Sequence, residues 1–142
     1  MNQRLTLLLI WLSGYVICLG FFLVFLLNDW MLSDEFMKNF GTITTIFAPQ
    51  LTTILTFWFA KKKTVTSRRS IAPSLEVPSN DAFCVALATS AIYNLVILVI
   101  VGAIFFKTGE GLIDKHVELA RNVGIGMTFM VGPAIGYFFA KS

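Results

Sequence analysis

Four long apolar runs without a single Asp, Glu, Lys, Arg or His constrain this chain more than any other feature. They are Leu5–Leu27, Phe40–Ala60, Ala82–Phe106 and Val123–Ala140. A helix that crosses a hydrocarbon layer about 30 Å thick needs about 20 apolar residues. Each run meets that length or comes close to it. Apolar residues make up 56% of the chain and charged residues 13%. A soluble domain usually carries about 25% charge. A chain of this size has no core large enough to hide so much apolar surface, so a soluble globular fold is excluded. A β-barrel is disfavoured, because its strands read as ten-residue alternations. The expected fold is an all-α integral membrane protein with four transmembrane helices. The first run exceeds the apolar part of a cleaved leader, and Asn28, Asp29 and Trp30 follow it where small residues would stand. It is therefore read as a span. Cys18 and Cys84 fall within spans and are expected to be small buried hydrophobes.

Charge sets the expected orientation. One side of a four-span chain holds Arg4, Lys61, Lys62, Lys63, Arg68, Arg69 and Lys141, with Glu76 and Asp81, a net +5. The other holds Lys38, Lys107, Lys115 and Arg121 with six acids, a net −2. The positive-inside rule then places both termini in the cytoplasm. The cluster Lys61, Lys62, Lys63, Arg68 and Arg69 suits anionic headgroups better than nucleic acid. Three parts follow: a hairpin at 1–60, a basic Ser/Thr/Pro-containing linker at 61–81, and a hairpin at 82–142. The linker could also hold a cytoplasmic partner.

The two halves repeat. Residues 35–45 read EFMKNFGTITT and residues 118–128 read ELARNVGIGMT, an offset of 83. Pro49 and Pro133 follow, then FWFAK at 57–61 and YFFAK at 137–141. The expectation is two parallel-repeat hairpins about a twofold axis along the membrane normal. Glu35, Lys38, Glu118 and Arg121 would gather at the outer mouth. Glu and Lys/Arg three apart would be helix neighbours. Residues 33–40, with Ser33 as N-cap, and 110–121 read as short interfacial helices on the outer side.

Polar residues inside the spans point to faces that meet protein or water. Thr42, Thr45, Pro49, Thr52, Thr53 and Thr56 lie within an arc of about 100° on one helix. Gln50 stands to one side of it. Ser90 and Asn94 share a face of the third span. These residues read as a polar path or a packing face, with Gln50 and Asn94 meeting near the midplane. Gly124, Thr128, Gly132 and Gly136 form a small-residue stripe of the kind that lets helices approach closely. The prolines are expected to kink their spans.

No span carries a carboxylate for proton-coupled transport. The chain holds no phosphate loop, no HExxH and no Ser/His/Asp set, and its single His116 lies in a loop region. Catalytic residues, metal ligands and cofactors are therefore not expected. In size, span count and lysine-tailed aromatic span ends, the layout resembles small four-span inner-membrane proteins of phage and phage-defence operons, holin-like and phage-exclusion proteins among them. That resemblance implies a homo-oligomeric pore or membrane-perturbing effector in a bacterial inner membrane. The alternative is a non-conducting anchor or regulatory subunit that binds a partner protein through the linker or the small-residue stripe.

Overall fold

A computed structural model describes residues 3–64, 80–106 and 112–141. These are helical almost throughout: α1 (Gln3–Leu27), α2 (Ser33–Thr64), α3 (Asn80–Gly102) with a 3-10 turn at Ala103–Phe106, and α4 (Leu112–Lys141). All four α-helices are long and apolar enough to cross a membrane. The chain is an integral membrane protein. At 32 residues, α2 extends about 48 Å, well beyond the hydrocarbon thickness. Its ends therefore reach the headgroup level.

The turn from α1 to α2 is built by local chemistry. Trp30 N donates to Phe25 O at 3.0 Å and Asp29 N donates to Leu26 O at 3.3 Å. These are the two bonds of a Schellman motif. Its left-handed position is held by Asp29, at a φ of 56°. The rings of Phe25 and Trp30 stack across the motif at 5.9 Å. α2 then opens with Leu32 at the N-cap, whose carbonyl accepts from Phe36 N at 2.9 Å. Glu35 Oε2 reaches back to accept from Leu32 N at 3.2 Å. This is half of a capping box, with Ser33 already inside the helix rather than capping it.

The helices stand in the order α1, α2, α4, α3 around the bundle. Helices that run in the same direction are therefore neighbours. Trp11 of α1 meets Ser90 of α3, and Gln50 of α2 meets Thr128 of α4. The diagonal partners, α1 with α4 and α2 with α3, run in opposite directions. A twofold axis along the membrane normal would have to exchange diagonal partners while keeping their direction. The observed order corrects that expectation: the two hairpins stand side by side in the same sense.

Burial recurs between the first helices of the two hairpins at an offset of 79. Leu7, Trp11, Gly14, Cys18, Phe22 and Phe25 line the inside of α1; Ala86, Ser90, Tyr93, Ile97, Val101 and Ile104 do so in the second hairpin. The repeat motif lies at 83 and does not follow this register. Asn39 is buried while its match Asn122 is exposed. Gly41 faces open space while its match Gly124 is packed. In α2 and α4 neither offset matches burial: Ile46 and Gln50 are buried, while Ile125, Phe129 and Pro133 are exposed.

The expected interfacial helices do not stand apart. Residues 33–40 open α2, and residues 112–121 open α4. Val117 and Ala120 continue the buried stripe of Gly124, Val131, Ile135 and Phe138, so one face runs unbroken through the helix. Pro49 and Pro133 likewise lie inside continuous helices. The expected linker shortens, because α2 runs to Thr64 and α3 begins at Asn80.

The outer surface differs between helices. Exposed positions on α1 include Leu9, Leu12, Val16 and Leu23, and on α3 Val85, Ile92, Leu95 and Val99. On α2 they include Gly41, Thr45, Pro49, Thr52 and Thr56. The most apolar 18-residue stretches of α1 and α3 have mean hydropathies of 2.5 and 2.4, those of α2 and α4 only 1.2 and 1.3.

Candidate functional site

Gln50, Ser90 and Asn94 turn into the bundle, where all three are buried. Trp11 Nε1 donates to Ser90 Oγ at 3.0 Å, which joins α1 to α3. Gln50 Nε2 donates to Thr128 Oγ1 at 3.3 Å, which joins α2 to α4. The Tyr93 hydroxyl donates to Ile46 O at 3.1 Å, across the diagonal from α3 to α2. Asn94 Nδ2 donates to Ser90 O on its own helix at 2.8 Å. Asn94 Oδ1 has no hydrogen-bond partner and lies against Gly14, in the place that a Cβ there would take. Phe47 lies beside the same point, and the rings of Trp11, Phe47 and Tyr93 pack on one another, with Trp11 and Tyr93 ring centres 4.9 Å apart. Interhelical hydrogen bonds drive helix association where lipid supplies no hydrophobic force. The side chains here bind the four helices together. Gln50 and Asn94 are both interior, but each bonds elsewhere.

The threonines take the opposite side of α2. Thr45, Thr52 and Thr56 are exposed, and Thr42 and Thr53 half-buried. Thr42 donates to Lys38 O at 3.1 Å, Thr45 to Thr42 O at 2.7 Å and Thr53 to Pro49 O at 2.8 Å. Such bonds satisfy the hydroxyl within its own helix. The expected polar set thus divides in two. The amides and Ser90 serve the core, and a hydroxyl face looks away from it.

The stripe on α4 divides as well. A Cβ on Gly124 would stand 3.0 Å from Ile46 Cγ2 and 3.0 Å from the Tyr93 hydroxyl oxygen, so that glycine is required by packing. Thr128 donates to Gly124 O at 2.9 Å and accepts from Gln50. A Cβ on Gly132 or Gly136 would meet nothing within 4 Å. Cys18 is buried in the core, whereas Cys84 is exposed on α3.

At the turn end of the bundle, α2 and α4 enclose a cleft of about 340 Å³. Lys38, Asn39, Thr42, Asp114, Lys115, Val117, Glu118 and Arg121 line it. Lys38 Nζ lies 2.7 Å from Asp114 Oδ2. The buried Asn39 donates from Nδ2 to Asp114 Oδ1 at 3.2 Å and lies 3.6 Å from Met31 Sδ. Lys38 therefore pairs across to the other hairpin, where the sequence suggested Glu35. Glu35 caps α2 instead. Glu118 and Arg121 form no ion pair with each other among the described residues. Asp114 and Asn39 were missed as site residues. The spacing of Asp114, Glu118 and Arg121, four and then three apart, is the signal that puts all three on one face.

Lys61, Lys62 and Lys63 belong to the last turns of α2, and their side chains lie outside the described residues, as do Arg68 and Arg69 altogether. Comparison with protein families, with curated proteins and with solved structures finds no match to this chain.

Proposed function

We propose that this chain assembles with further copies of itself into a pore or a membrane-perturbing effector. The threonine face of α2 lines the path between copies, and the aliphatic surfaces of α1 and α3 face lipid. One observation carries the reading. The interior of a single chain is filled by Trp11, Phe22, Phe47, Tyr93, Ile97 and Ile54, while Thr45, Thr52 and Thr56 point away from it. A hydroxyl gains nothing from lipid that Leu would not supply better, so the face fits water or another chain. The charge asymmetry supports termini in the cytoplasm, and the basic cluster supports contact with anionic headgroups. A bacterial inner membrane fits the chain's compactness. The matched stretches at 35–45 and 118–128 support an origin as two copies of one hairpin.

The test is release of ions and small dyes from liposomes that contain the purified chain. Wild type is expected to release them. A Thr52→Leu/Thr56→Leu variant should release them at least about tenfold more slowly while its helix content and thermal midpoint hold. Release by neither, at any potential, would overturn the pore. The non-conducting anchor or regulatory subunit would then stand in its place.

A further inference from the structure

We infer that the cleft between the first turns of α2 and α4 holds the headgroup of a phospholipid that carries a primary ammonium, of the phosphoethanolamine class. The inference rests on the membrane reading and not on the pore. One wall of the cleft is an exposed ion pair: Lys38 and Asp114 are joined at 2.7 Å, and Asn39 donates to the other oxygen of Asp114. That leaves Lys115 and Arg121 with no hydrogen bond or ion pair among the described residues, and the carboxylate of Glu118 on the same lining. A phosphodiester is recognised by free cations, above all the planar fork of an Arg. A primary ammonium brings N–H donors that a carboxylate accepts. A quaternary ammonium has none. A headgroup without a cation would set its phosphate against the carboxylate of Glu118, which the Lys38 ammonium, already paired with Asp114, offsets only in part.

Placement and size favour a lipid over a dissolved solute. The cleft lies just before the apolar part of α4 begins at Val123, which is headgroup depth. Its volume of about 340 Å³ is at the small end of ligand sites, which run from about 300 to 1,000 Å³. Further along the same face of α4, Gly132 and Gly136 leave open space beside exposed Ile125 and Phe129. That surface continues from the cleft into the apolar depth, where an acyl chain would lie.

The experiment is native mass spectrometry of the purified full chain with phosphatidylethanolamine, phosphatidylcholine or phosphatidylglycerol of equal acyl composition. Wild type is expected to retain the ethanolamine lipid about tenfold over the other two. Glu118→Gln should equalise the ethanolamine and choline lipids. Arg121→Gln should lower retention of all three about tenfold, with circular dichroism unchanged in both variants. Equal retention of the three lipids by wild type would overturn the site. So would variants that keep the wild-type order. A third arm adds glycerophosphoethanolamine to lipid-stripped chain. Binding as tight as that of the lipid would assign the cleft to a dissolved phosphorylated amine and overturn the lipid source. Liposome release plays no part in these readouts, so failure here and failure of the pore remain distinguishable.

Discussion

Asn94 Oδ1 occupies the space that a side chain on Gly14 would need. A Cα–H of Gly14 lies on the side of that oxygen. Among the described residues, the buried side-chain acceptor without a conventional partner thus lies beside a weak C–H donor, a contact worth at most about 1 kcal/mol. Its larger effect is to fix how closely α1 and α3 approach. Gly14→Ala should cost about 1–3 kcal/mol, the usual range for overpacking. Asn94→Ala in the same chain should restore part of that loss. Thermal unfolding in detergent checks it, and additive losses would show that the two residues do not share this space.

Trp11 and Ser90 make a buried hydrogen bond between these helices, at 3.0 Å. Hydrogen bonds between helices in membranes average about 0.6 kcal/mol and reach about 1.7. A double-mutant cycle with Trp11→Phe and Ser90→Ala is expected to give a coupling inside that range.

Gly124→Ala and Gly136→Ala should separate packing from the open surface. The first drives a methyl to within 3.0 Å of Ile46 and Tyr93 and is expected to destabilise the bundle. The second meets open space and removes a flexible residue from a helix, a gain of up to about 1 kcal/mol. Unfolding midpoints of the two variants should move in opposite directions.

Asp29 pays a conformational cost at its φ of 56°. The left-handed region costs an L-residue about 1–2 kcal/mol, less for Asp and nothing for Gly. Asp29→Gly is expected to raise the unfolding midpoint, and Asp29→Val to lower it.

The spans were legible because lipid imposes one crude demand, an uncharged run of sufficient length, and all four met it. Boundaries were less so. The polar stretches at 33–40 and 110–121 read as separate helices because their charge hides an apolar stripe that continues into the span. The face of the threonines was legible as well, but not its direction. A helical wheel says which residues stand together and not whether they face a neighbour. Gln50, on the next sector of that wheel, is inside. Lys38 and Asp114 are 76 residues apart, and their meeting depends on the order of helices around the bundle. No local pattern encodes that order. Nothing near Asn39 announced that it would be buried, since its match Asn122 is exposed.

Two hairpins that stand side by side in the same sense give the chain two unlike flanks, one from each hairpin. A further copy that extends the row must set its first flank against the second flank of its neighbour. Such contacts are heterologous: they close into a ring when the row curves, and run on as a filament when it does not. A back-to-back dimer would instead bury like against like and stop at two. A closed ring of whole chains would always count its hairpins in even numbers.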